Sequence, residues 1–213
     1  VSGEMDDREW KNAPEIVQFL RYPATSVVIG ICTLIWIYIY RNGIDYAHVG
    51  SSYRHVVIEH QYWRALTASL SHISIIHLGF NMFSSWQLRE MEKAIGIAEY
   101  FRLTFIFLLV SICMQQSLHA ILARTRFGER TQNTIGVGYS CVVFAWMTFA
   151  SLKTSSSSLN LVFFKVPYSL SPFFSLILTQ MIIPNVDFVG HLAGILAGYV
   201  EGWGFLTWLT GYW

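Results

Sequence analysis

Ile135-Gly136-Val137-Gly138-Tyr139-Ser140-Cys141-Val142-Val143-Phe144-Ala145-Trp146-Met147 decides how this chain is read. Two glycines lead into a serine where a loop turns into an apolar helix, and no charge follows until Lys153. Further on, His191 stands in a second apolar helix beside Gly190 and Gly194. A serine and a histidine just inside hydrophobic helices are costly to keep in lipid, so together they mark a candidate site.

Composition agrees with a membrane setting. The 213 residues are 54% hydrophobic and only 13% charged, with a mean hydropathy of +0.43. A soluble domain carries about 25% charged residues. Several apolar stretches approach the roughly 20 helical residues that a bilayer core requires. The chain therefore reads as a multi-spanning membrane protein with the lipid bilayer as its partner. A net charge of +1 and the lack of a basic run argue against nucleic acid. Cys32, Cys113 and Cys141 are odd in number and lie in apolar segments, which does not suit a disulfide framework. Because the chain starts at Val1, a trimmed start is expected; the first 22 residues are polar and lack the apolar core of a signal peptide.

Six spans are predicted, giving an all-α, polytopic six-helix bundle. They are Ala24–Tyr40, Ile73–Leu88, Tyr100–Ala123, Ile135–Leu152, a kinked fifth reaching Phe173–Ile183 from near Phe163 or Tyr168, and Phe188–Leu209. Residues 1–23 form a polar N-terminal segment, 24–209 the membrane domain and 210–213 a short tail. The stretch holding Asp45, Arg54, Glu59 and Arg64 is too mixed to cross lipid, and its aromatics suit an interface. The Ser155–Ser158 run reads as a flexible loop. Trp203, Trp208, Tyr212 and Trp213 resemble an interfacial aromatic belt. Of the 14 lysines and arginines, eight fall on the face with the N-terminus and six opposite, which orients the N-terminus towards the cytosol.

Spans two, four and six then enter from one side. At 1.5 Å per residue, His77, Asn81, Ser140 and His191 all lie within about 12 Å of the same surface. His77 and Asn81 share a helix face. Gly194-xxx-Gly198 is a small-residue seam that lets membrane helices approach closely, and Cys141, Ala145 and Thr148 make a matching row in span four. Such an approach would bring Ser140 within hydrogen-bond reach of His191, with Phe144 stacked on the imidazole.

That arrangement suits nucleophilic catalysis. A serine hydroxyl is weak until a base takes its proton, and neutral histidine is the usual base. An oxyanion needs preorganised donors, which the Ser140 amide, the His77 ring and the Asn81 amide could supply. Gly136 and Gly138 leave room for the backbone. Asp187 fits a helix cap, so a two-residue pair is expected rather than a triad. Each piece alone has a blander reading. A membrane serine commonly bonds back to its own helix, a Gly-xxx-Gly seam serves packing, and His77 with Asn81 can be an interhelical pair. His72 and His77 lack the His-Glu-x-x-His spacing of zinc sites, and five residues would set them about 140° apart on a helix. No metal is therefore expected. His119 and Glu201 read as an interfacial and a helix-end residue.

Taken together, Tyr62-Trp63-Arg64, His72-xxxx-His77-xxx-Asn81, Gly138-x-Ser140 and Gly190-His191-xx-Gly194-xxx-Gly198 resemble the rhomboid family of intramembrane serine proteases. The match runs from about Ala24 to Gly204 in the family's order. The ending and the phrase Val137–Met147 look most like a plant-type subgroup related to the endomembrane rhomboids. The resemblance implies Ser140 as nucleophile, His191 as general base, and His77 and Asn81 as oxyanion donors. It also implies His72 near the site, Trp63-Arg64 in a loop partly within the membrane, and Gly138, Gly194 and Gly198 as structural glycines. No cofactor is implied. The substrates would be single-span membrane proteins, cut near the end of a transmembrane helix. The compartment would be endoplasmic reticulum or Golgi, with plastid as the alternative. Two residues depart from the family pattern: Cys141 replaces the glycine of Gly-x-Ser-Gly, and Phe144 stands where many members have tyrosine. A rhomboid-like protein that binds membrane clients without cutting them is the alternative function. A small transporter is less suited, because below Asn81 only Ser84, Ser85 and Gln87 continue the polarity.

Overall fold

The computed structural model describes residues 14–72, 74–126, 128–153, 158–160, 165–182 and 187–211. Most of the N-terminal polar segment, the serine run at 155–157, the region of Phe163, and Tyr212 with Trp213 fall outside these. Along the chain run α1 (Glu15–Arg21), α2 (Pro23–Arg41), α3 (Tyr46–Val49), a π-helical turn (Arg54–Ile58) and α4 (Tyr62–Leu70). Then come α5 (Ile75–Gln87), α6 (Glu90–Ile95), α7 (Ile97–Leu122), α8 (Gly128–Asn133) and α9 (Ser140–Lys153). A hairpin of β1 (Ser158–Asn160) and β2 (Lys165–Pro167) leads through a 3₁₀ turn to α10 (Ser171–Ile182), α11 (Phe188–Gly202) and α12 (Thr207–Thr210).

The described residues are mainly helical, with two short antiparallel strands where the fifth span was expected to enter. Among the described residues two helices, α2 and α7, are long and apolar enough to cross a membrane. The other predicted spans are shorter than expected. At 12 to 15 residues, α5, α9, α10 and α11 each rise only about 18–22 Å, against a bilayer core of about 30 Å. The fourth begins at Ser140 rather than Ile135. In the intervening backbone Gly136 forms a β-bridge with Ser51 through reciprocal bonds of 3.0 and 2.8 Å, and the chain bends at Gly138. The sixth ends at Gly202, because the chain reverses at Gly204 with φ +84°. Trp203 and Trp208 therefore follow the helix rather than belong to it, and both are exposed.

α9 lies at the centre. Trp146 is buried, donates its indole N–H to Thr104 of α7 at 3.0 Å and stacks on Tyr100 with centroids 4.5 Å apart. Phe107 and Phe149 meet its edges. On the opposite side α11 presses its glycines against the α9 backbone. A Cβ on Gly194 would stand 2.2 Å from the Cys141 carbonyl oxygen, and one on Gly198 2.4 Å from that of Ala145. Gly202 continues the row, 2.4 Å from Leu152 by the same measure. A side chain at Gly194 or Gly198, where the clash is with backbone, would part the helices.

The start of α2 depends on a distant carboxylate. Tyr22 at its N-cap offers no side-chain acceptor. Glu92 of α6, only 2% exposed, accepts the amides of Ala24 and Thr25 at 2.8 Å each and the Thr25 hydroxyl at 2.7 Å. A negative group at a helix N-terminus also suits the helix dipole.

Residues 42–61 form a loop stitched by Arg64. Its Nη1 donates to the carbonyls of Ala47 (3.1 Å) and Gly50 (2.7 Å) and lies 3.2 Å from His55 Nδ1. Ser51 pairs this loop with Gly136, and the Tyr46 hydroxyl donates to the Ile135 carbonyl. The loop thus holds the strand that leads into Ser140.

Two outcomes are expected. Glu92→Ala leaves two buried amides without an acceptor and should cost about 3 kcal/mol, with Glu92→Gln losing about half as much. Unfolding midpoints in detergent check this, and an alanine variant as stable as wild type would refute the cap. His55 is held below its ordinary value of 6.5, first by burial and then by the Arg64 guanidinium. Its folded pKa is depressed, so its contribution is complete above about 6.5 and is lost as pH falls from there through the lowered value. Between pH 7.5 and 5 the wild-type midpoint should therefore drop further than that of His55→Gln, whereas parallel curves would contradict this.

Candidate active site

Ser140 is the first residue of α9. Gly138 before it holds φ +117°, a conformation that side chains resist, and donates its amide to Ala68 at 2.9 Å. The His77 ring lies over Gly138, so close that a Cβ there would stand 2.6 Å from its Cε1. Conformation and crowding thus both require glycine.

His191 occupies the first turn of α11, buried beside Gly190. Its Nε2 lies 2.8 Å from Ser140 Oγ. The Phe144 ring packs on the imidazole with centroids 4.7 Å apart and planes 33° apart. Phenylalanine therefore fills the stacking position without needing the tyrosine hydroxyl. With Nε2 turned to the hydroxyl, Nδ1 is the protonated nitrogen in the tautomer that can accept from serine. Among the described residues Nδ1 has no hydrogen-bond partner. Asp187 does not reach it; its carboxylate instead caps α11, accepting the Gly190 amide at 3.0 Å. The geometry is that of a pair, not a triad.

His77 and Asn81 line one cavity of about 240 Å³ with Ser140 and His191. The cavity runs between α5 and α10, with Phe80, Phe83, Leu178 and Ile182 along its apolar walls. Asn81 spends one amide hydrogen on the His77 carbonyl at 2.9 Å, leaving its second N–H for a ligand. His72 is fully buried behind the site and accepts the Tyr139 amide through Nε2 at 3.3 Å. It precedes α5 instead of lying on it, so the helical separation expected from His77 does not apply; the two rings meet edge to face at 5.2 Å.

The remaining expected residues lie outside the cavity. Gly194 and Gly198 sit in the α9–α11 seam. Trp63 is 59% exposed with Arg64 over its ring at 5.7 Å, and Arg64 acts through the loop described above. Cys141 is buried, and its carbonyl faces Gly194. His119, in the last turn of α7, is buried where an interfacial residue was expected, while Glu201 stands at the end of α11 as expected and is buried there. Sequence reading missed the Ser51–Gly136 pairing and the Glu92 cap. A pairing of two loop residues leaves no periodic mark. The cap left no distinguishing sign, since Glu92 is one of two glutamates in the charged stop after span two.

Residues 59–208 match the family described as "Rhomboid domain". The chain is 28% identical over 208 residues to "Rhomboid-like protein 15" of Arabidopsis thaliana, covering 94% of this chain and 49% of that protein. It is 30% identical over 153 residues to "Rhomboid-like protein 14, mitochondrial" of the same plant, covering 68% and 44%. With "Rhomboid-type serine protease B" of Aspergillus fumigatus it shares 29% over 146 residues, covering 68% and 52%. The chain spans about half the length of these curated relatives. A rhomboid domain implies a membrane-embedded helical bundle, and with most of its length matched, this chain belongs to the rhomboid family.

Proposed function

We propose that the chain is an intramembrane serine endopeptidase that cuts single-span membrane proteins in or near their transmembrane helices. The observation that carries this reading is the 2.8 Å contact between Ser140 Oγ and His191 Nε2 at the end of an apolar cavity. Nε2 takes the hydroxyl proton as Oγ adds to the scissile carbonyl carbon. The resulting oxyanion is met by the His77 ring, the free Asn81 N–H and the Ser140 amide. The imidazolium then gives its proton to the departing amine, leaving an acyl-enzyme. Water next enters, yields a proton to Nε2 and adds to the acyl carbon, and Ser140 leaves with the proton restored.

The remaining parts of the reading rest on the same site. In this reading the six crossings comprise α2, α5, α7, α9, α10 and α11, of which α2 and α7 are long enough by themselves among the described residues. The apolar walls between α5 and α10 suit a substrate segment arriving from lipid. An endomembrane compartment and a plant-type subgroup remain part of this proposal.

A fluorophosphonate probe tests it without knowledge of the substrate. Wild type should be labelled, while Ser140→Ala and His191→Ala fall to background. Ser140→Ala should unfold within about 1 kcal/mol of wild type, since it loses one hydrogen bond. A folded wild type that takes no label would contradict the proposal and favour a client-binding protein without proteolysis.

A further inference from the structure

Asp187 does more than cap its helix. Its Oδ1 accepts the Gly190 amide at 3.0 Å, and its Oδ2 accepts the side-chain amide of Gln115, which comes from α7. Two glycines flank the carboxylate. A Cβ on Gly136 would come within 2.8 Å of Oδ2, and one on Gly190 within 2.9 Å of Oδ2 and 3.1 Å of the Gln115 nitrogen. Gly136 belongs to the strand that delivers Ser140, and Gly190 immediately precedes His191. Gln115, Asp187, Gly136, Gly190, Ser140 and His191 all line one small chamber, which shares Ser140 and His191 with the apolar cavity. The carboxylate is therefore wedged between the two backbone segments whose separation sets the Ser140–His191 distance, and α7 holds it there.

We propose that the Gln115–Asp187 pair is a positioning device for the dyad, fixing the Ser140 strand against the His191 helix without touching either reacting atom. This rests on the hydrolytic reading above. The glycine seam fixes α11 against α9 one turn or more below the site, but it does not restrain the strand before Ser140. Ser51 pairs with that strand from one edge, and the Asp187 wedge supplies contact from the α11 side. Losing Gln115 frees the carboxylate to swing, and losing Asp187 removes the wedge altogether.

The test is the second-order rate of fluorophosphonate labelling of the full chain in bilayer nanodiscs, with unfolding midpoints measured alongside. Gln115→Ala and Asp187→Ala should each slow labelling about 10- to 100-fold, since a displacement of about 1 Å costs up to about 100-fold. The double variant should be no slower than the worse single one, because both remove the same restraint. Asp187→Asn keeps the capping oxygen, and its amide can donate to a flipped Gln115. It should recover labelling to within about threefold of wild type. If Asp187→Ala fails to fold, Gln115→Ala and Asp187→Asn still decide the matter. Folded single variants labelled at the wild-type rate, or effects that multiply in the double variant, would overturn the positioning role alone. An unlabelled wild type would overturn both readings together.

Discussion

The close contact of α9 with α11 is the constraint on which the rest of the structure depends. Gly194 and Gly198 stand one turn apart on α11, and each lets the backbone of the facing helix approach to where a methyl group would collide. Two helices at that separation bring the first residue of one beside the fourth of the other. Ser140 and His191 then need only local adjustment to meet at 2.8 Å. Wider packing would leave the half-buried Ser140 hydroxyl and the buried His191 imidazole apart.

A reacting serine within a bilayer must also escape its own helix. In mid-helix its hydroxyl would bond to a carbonyl one turn back. The chain avoids this by starting α9 at Ser140, which it reaches through a non-helical segment. Irregular backbone at membrane depth is tolerated only where protein or a cavity satisfies it. The satisfaction here is explicit: Gly136 pairs with Ser51, Gly138 donates to Ala68 and Tyr139 donates to His72. Shortness of α9 follows from this arrangement, as does the need for Arg64 to hold the outer loop closed. Polar residues far from Ser140 and His191 thus serve the candidate site by holding backbone.

Much of this was legible in the residues themselves. Helical spacing alone gave the His77–Asn81 face and the glycine seam, and the shared depth of three spans pointed to Ser140 meeting His191. Phe144 stacking followed from its place one turn after Ser140. Span ends were less legible. Hydropathy extends a helix through Ile135–Tyr139 and Trp203–Leu209, because apolar residues look alike whether coiled or extended. The breaks come from Gly138 and Gly204 at positive φ and from pairing with Ser51, which only the tertiary structure supplies. Asp187 was legible as a cap, and its second partner was not, since Gln115 lies on a different helix with no pattern linking the two. Buried Glu92 eluded reading for the same reason.

The central claim is that His191 Nε2 and Ser140 Oγ act on one carbonyl within the folded bundle. A peptidyl chloromethyl ketone ending in alanine probes both atoms at once, because Oγ adds to the ketone while Nε2 displaces chloride. Peptide mapping of the treated full chain should place the new carbon on His191, with the yield falling to background in Ser140→Ala. Alkylation spread equally over His77, His119 and His191, or unchanged by loss of the Ser140 hydroxyl, would contradict the account.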